Sequence, residues 1–230
     1  MPLLYHHPLC PFSRRIRLAL GEINFQVEFI EELVWERRKE FLIMNPAGTI
    51  PVLVDEGSQP ICGIMAISEF LEEIAALNDQ RRLIPGGAHS RAEVRRLVEW
   101  FDVKFNAEVT QPIAHELIDR RFMNSSQGGG GGPNMEAVRV GRKNINYHLD
   151  YIGYLTGHRR WLAGDKLSYA DLAAAAHLSC IDFIGDVPWE RSAGAKDWYA
   201  RIKSRPSFRP LLKDKMKGMT VPDHYENLDF

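Results

Sequence analysis

The chain has 230 residues, 45% of them apolar and 26% charged, which is enough apolar side chain for a sizeable core and excludes disorder throughout. Lys and Arg number 29 against 30 Asp and Glu, a formal net charge of -1, so a broad cationic surface for nucleic acid finds no support. Cys10, Cys62 and Cys180 lie far apart; an odd count with no close pair suits neither a disulfide framework nor a zinc set and points to a reducing compartment. The first eight residues lack a basic leader followed by an apolar core, and the most apolar later stretch, 172–184, is too short to span a membrane.

Residues 1–77 alternate between extended and helical runs. Strands are expected at 3–5, 25–30 and 51–54, with helices from Pro11 to a stop at Gly21, over 35–44 and over 64–77. Together they make a small α/β unit. Residues 78–90 read as a connector. Beyond it, Val94, Leu97, Val98, Phe101, Phe105 and Val109 recur at helical spacing and predict one long amphipathic helix. A second helix is expected at 135–156, with Ile145, Leu149, Ile152 and Leu155 on its apolar face. Residues 172–184 are apolar on nearly every side and should form the central buried helix, followed by short helices near 195–202 and 208–217. The five glycines at 128–132 predict a flexible loop between the two long helices; the lysine and hydroxyl of a P-loop do not follow them.

The first stretch with chemistry is Leu9-Cys10-Pro11-Phe12-Ser13. Cys10 falls between a strand and the amino end of a helix, where free backbone N–H groups stabilise a thiolate. Ser13 stands where a CxxC redox pair has its second cysteine, so a mixed disulfide would lack a resolving thiol. Arg14, Arg15 and Arg17 add positive charge. From these residues alone a reactive and a structural cysteine remain equally open.

With Asn45-Pro46-Ala47-Gly48-Thr49-Ile50-Pro51-Val52-Leu53 and Gly164-Asp165-Lys166-Leu167-Ser168-Tyr169-Ala170-Asp171 added, the chain resembles a glutathione transferase over essentially its whole length. The resemblance implies a two-domain glutathione transferase fold: a thioredoxin-like N-terminal α/β domain with a mixed sheet (1–77), a linker (78–90), an all-α C-terminal domain (91–217) and a tail (218–230). It implies a cis Pro51, which frees the Ile50 backbone to pair with the cysteinyl part of glutathione. It also makes Ser168 and Asp171 a helix cap, architectural and not catalytic.

One departure weakens the implied enzyme. Where the family usually carries Glu-Ser before the third helix, this chain has Gly63-Ile64, and Ser68-Glu69 falls a turn too late. Each polar ligand group left unpaired there costs about 1 to 3 kcal/mol, or about tenfold in affinity. Ile50, Pro51, Gly63 and Ile64 are therefore vestigial glutathione positions. No cofactor is expected, and Cys10 is catalytic only if the protein is an enzyme. Of His6 and His7, on an extended segment, at most one can approach the thiol. No metal motif is present, and the pairs Arg37-Arg38, Arg81-Arg82, Arg120-Arg121 and Arg159-Arg160 read as solvated faces.

Two surfaces suggest binding instead. The closing residues place Tyr225, Leu228 and Phe230 among Asp223, Glu226 and Asp229, aromatic and apolar anchors in an acidic surround. Trp35 stands among charges at the start of the second helix. Asp223, Tyr225, Leu228, Asp229, Phe230 and Trp35 are the partner-binding candidates. The tail resembles that of the transferase-like cell-division proteins of alphaproteobacteria, which bind FtsZ. The resemblance implies a cytoplasmic, non-catalytic homodimer at the division site that binds FtsZ filaments and promotes their organisation and envelope constriction, without nucleic acid or membrane insertion. The alternative is a cysteine-type glutathione transferase or thiol reductase acting through Cys10.

Overall fold

The structure is a computed structural model that describes residues 1–55, 57–77 and 81–228. Its N-terminal sheet has the order β2-β1-β3-β4. β1 (Leu3–His6) pairs parallel with β2 (Glu28–Glu31) and antiparallel with β3 (Val52–Val54), which pairs antiparallel with β4 (Ile61–Cys62). The sheet is mixed, as expected. β4 is an addition to the predicted elements: two residues carry no readable alternation.

Three helices flank the sheet: α1 (Pro11–Ile23), α2 (Lys39–Met44) and α3 (Ile64–Ala75). Gly21 does not stop α1, which runs to Ile23 and closes on Asn24 at φ 60. Glycine is required at 21 for a close approach, since a Cβ there would lie 2.9 Å from Ser207 Cβ. The helix expected over 35–44 is split. Trp35 sits in a single 3-10 turn, Val34–Glu36, and Arg37 at φ 50 interrupts the coil before α2.

The remainder is helical. α4 (Ala88–Glu99) continues as a wider π-type coil over Trp100–His115, and α5 (Met135–Thr156) packs along it. Between them Asn124 caps the turn Ser125–Gln127 and Gly128, Gly130 and Gly131 take φ values of 93, 81 and 98, which only glycine adopts freely. α6 (Tyr169–Asp182) is buried along its whole length and packs on α1, α4 and α7 (Ala193–Lys203), so it joins the two halves. It starts three residues earlier than its apolar run because a cap extends it. The Ser168 N–H and hydroxyl donate to Asp171 Oδ2, both at 3.1 Å, while Asp171 Oδ1 accepts from the Leu162 N–H at 2.9 Å and Trp198 Nε1 at 3.0 Å. Four donors converge on one buried carboxylate, an architectural role.

The tail departs most from expectation. After the short α8 (Arg209–Leu212), residues 223–226 form a turn of helix, α9 (Asp223–Glu226), and Tyr225 is fully buried. Tyr225 is thus no surface anchor: its ring packs edge-on against Phe183 (5.3 Å between centroids) and its hydroxyl lies in the core. Asp229 and Phe230 lie outside the described residues.

Candidate functional site

A cavity of about 430 Å³ lies where the two halves meet. One wall is the loop between β1 and α1, with His7, Leu9, Cys10, Pro11 and Phe12, together with Val34, Trp35, Gly48 and Ile50; the other is the π-type coil and the turns C-terminal to it, with Asn106, Thr110, Gln111, Ala114, His115, Asp119 and Met123. The sequence places Cys10, Trp35 and Ile50 here, but the facing wall was not legible, because no local pattern says which turn of a long helix meets a distant loop.

Cys10 is the N-cap of α1, at the helix end as expected. Its chemistry differs from the expectation. Burial pushes the thiol above its ordinary range, and the hydrogen-bond donors at Ser13 and Phe12 do not offset it. No side-chain bond caps the helix from Cys10. His7 supplies no base. Its Nδ1 accepts from the Leu9 N–H (3.4 Å), and burial, aided by Arg14, lowers its pKa to about 4. The ring is neutral at pH 7. Of the two adjacent histidines only His7 borders the cavity; His6 turns to Phe29, 5.2 Å away. A thiol held protonated beside a weak base is a poor nucleophile.

The Ile50–Pro51 bond is cis, as the resemblance implies, and Ile50 lines the cavity while Pro51 is buried behind it. Gly63 and Ile64 are not among the lining residues. Gly63 caps α3 at φ 94 with nothing within 4 Å of a built Cβ, so its backbone conformation and not crowding selects glycine. The Ile64 carbonyl accepts from Ser68 Oγ (2.6 Å) and Arg15 Nη2 (3.3 Å), and Glu69 pairs with Arg95 at 3.0 Å. The late Ser68-Glu69 pair is therefore committed to structure. The charged side chains on the cavity are carboxylates, Glu32 (held by Arg38) and Asp119 (3.5 Å from His115), and among the described residues neither arginine nor lysine lines it. A tripeptide with two carboxylates finds neither arginine nor lysine among the described lining residues.

Among the described residues, none of the tail lines this cavity. Asp223 and His224 border a second, open groove of about 740 Å³ with Arg142, Asp186, Glu190 and Lys196. Asp223 is exposed and Leu228 half-buried. Trp35 and the described tail residues Asp223 and His224 thus border two different cavities. The paired arginines are largely structural: Arg38, Arg82, Arg120 and Arg159 make ion pairs with Glu32, Glu72, Glu116 and Glu93. Among the described residues no group of three His, Cys, Asp or Glu side chains is placed to hold a metal, and no helix is long and apolar enough to cross a membrane.

The fold agrees with what comparison finds. The family model for the glutathione S-transferase N-terminal domain matches residues 9–74 and that for the C-terminal domain residues 138–206, and the chain belongs to the glutathione S-transferase family. Within it, the chain is 44% identical over 230 residues to FtsZ-localized protein A of Caulobacter vibrioides, covering 99% of this chain and 97% of that one. The solved structure of FzlA from C. crescentus gives a TM-score of 0.92 at 44% identity over 100% of this chain and 99% of that one. A glutathione S-transferase structure from Sinorhizobium meliloti gives 0.96 at 48% identity, covering 100% of both.

Proposed function

We propose that this protein is a non-catalytic member of the family that binds FtsZ filaments, organises them and promotes envelope constriction at the division site in the cytoplasm. The carrying observation is the 44% identity to FtsZ-localized protein A, which spans both domains and 99% of the chain. The cavity chemistry supports it. Cys10 is held as a thiol, His7 is neutral, and the lining offers carboxylates where a glutathione site needs cations. Among the described residues, exposed Asp223, half-buried Leu228 and half-buried Trp35 are the candidate positions for partner contact. A homodimer would present each of them twice and bridge neighbouring filaments through effective concentration.

The cis Ile50–Pro51 bond and the cavity beside Cys10 favour a second reading, a glutathione-dependent enzyme. Retention on immobilised glutathione separates the two. The binding reading predicts flow-through together with co-pelleting on assembled FtsZ; retention, with thiol-transfer activity lost in Cys10→Ala, would establish the enzyme.

A further inference from the structure

The cavity wall and the tail occupy different faces, yet one side chain touches the supports of both. Arg14 is fully buried. Its Nε donates to the Pro8 carbonyl at 2.6 Å, in the loop that carries Leu9 and Cys10 into the cavity wall. Its Nη1 donates to the Tyr225 hydroxyl at 3.0 Å and to Ser179 Oγ at 2.8 Å, and its Nη2 to Asp214 Oδ2 at 3.2 Å. The neighbouring Cys180 Sγ donates to the Leu9 carbonyl at 3.2 Å. The loop is therefore fastened from behind by the same guanidinium that fastens α9.

A guanidinium is a rigid planar fork. It cannot follow a displaced Pro8 carbonyl without swinging Nη1 away from Tyr225. Nor can it readily give up an acceptor, because a buried cation with an unmet donor has no water to turn to. We propose that Arg14 is a positioning residue that couples the Cys10 cavity to the docking of α9: filling or prying open the cavity loosens the C-terminal segment, and the docked segment, through Arg14, holds in place the loop that carries Cys10. The coupling is reciprocal, since two events that share one free-energy difference must influence each other equally. It does not depend on what the tail binds. Under the FtsZ reading it would let an occupant of the cavity control how Asp223 and Leu228 are presented.

The test uses the full chain with Cys62→Ser, which leaves Cys10 as the reactive thiol because Cys180 is buried with its pKa pushed up to about 12. The rate of Cys10 alkylation by N-ethylmaleimide, read by mass spectrometry, should rise about fivefold or more in Tyr225→Phe and stay unchanged in Glu226→Ala, on the exposed side of the same turn. Conversely, in the chain with native Tyr225, alkylating Cys10 should speed tryptic cleavage after the exposed Lys215 and Lys217, just ahead of α9, while cleavage after Arg139 and Lys143 on α5 keeps its rate. This second measurement stands even where Tyr225→Phe fails to fold. Equal alkylation rates in folded Tyr225→Phe and its parent would overturn the coupling. So would cleavage after Lys215 and Lys217 that is unaffected by alkylation, or that rises only in step with cleavage in α5.

Discussion

The Arg14 guanidinium and the Tyr225 hydroxyl, 211 residues apart in the chain, meet at 3.0 Å in the core. This contact makes the C-terminal segment part of the folded body. Tyr225→Ala removes a ring packed against Phe183 as well as an acceptor for a buried cation, and should cost about 3 to 5 kcal/mol. Tyr225→Phe keeps the ring and should cost about 1 to 3 kcal/mol. Urea unfolding midpoints check the order; a loss below about 1 kcal/mol for Tyr225→Ala would mean that the segment is undocked in solution.

Asp171 offers a sharper test of the cap. Its Oδ2 faces two donors of Ser168 and its Oδ1 faces Leu162 N–H and Trp198 Nε1. Asparagine would turn an NH2 group toward one of those donor pairs. Asp171→Asn should therefore be nearly as damaging as Asp171→Ala, each by about 3 kcal/mol or more, since either leaves buried donors unmet. Calorimetry of the two variants decides; an Asn variant as stable as the parent would show that the buried donors find other partners.

Stability should fall with acid through His6 and His7. Burial, with Arg17 beside His6 and Arg14 beside His7, lowers both from 6.5 to about 4. Between those values the unfolded chain takes up protons that the native state refuses, so stability present above pH 6.5 is lost as the pH falls toward 4. The limit is about 3 kcal/mol for each ring, and less than the sum for two adjacent ones. His7→Asn keeps an acceptor for the Leu9 N–H and should flatten the pH dependence of the unfolding midpoint over that range by about half. An unchanged slope would contradict neutral burial of His7.

Cys10 should behave as a half-buried, desolvated thiol. Because burial raises its pKa, the alkylation rate should still be climbing at about pH 9, whereas a helix-activated thiolate would already have levelled off near neutrality. Cys10→Ala should leave FtsZ binding within about twofold, since the thiol forms no part of the exposed surface the tail presents.

Much of this was legible in the chain. Leu97, Phe101, Phe105, Ile145 and Leu149 are core residues, as their spacing requires, and Asp171 caps α6 as the Ser168-to-Asp171 spacing implies. Pro51 was found through the motif around it. What local patterns could not show were meetings across the fold. The edge strand β4 needs only two residues, Ile61 and Cys62, and leaves no periodic trace. The cavity wall at Asn106, Thr110 and Asp119 depends on how the helical half docks. Tyr225 reads as a surface anchor because its neighbours are charged; Asp223 and Glu226 are indeed exposed, and only the turn of α9 sends the tyrosine inward to Arg14.

The buried Tyr225 also decides how partner binding should be measured. Removing residues 218–230 would open the core, so the informative changes are at the surface. Co-sedimentation with polymerised FtsZ should carry the full chain into the pellet, with Trp35→Ala, Asp223→Lys and Leu228→Ala each weakening recovery by about fivefold or more, and the exposed Asp223→Lys doing so at unchanged thermal stability. A chain that stays in the supernatant at every FtsZ concentration, while eluting from immobilised glutathione only with free glutathione, would contradict the binding account.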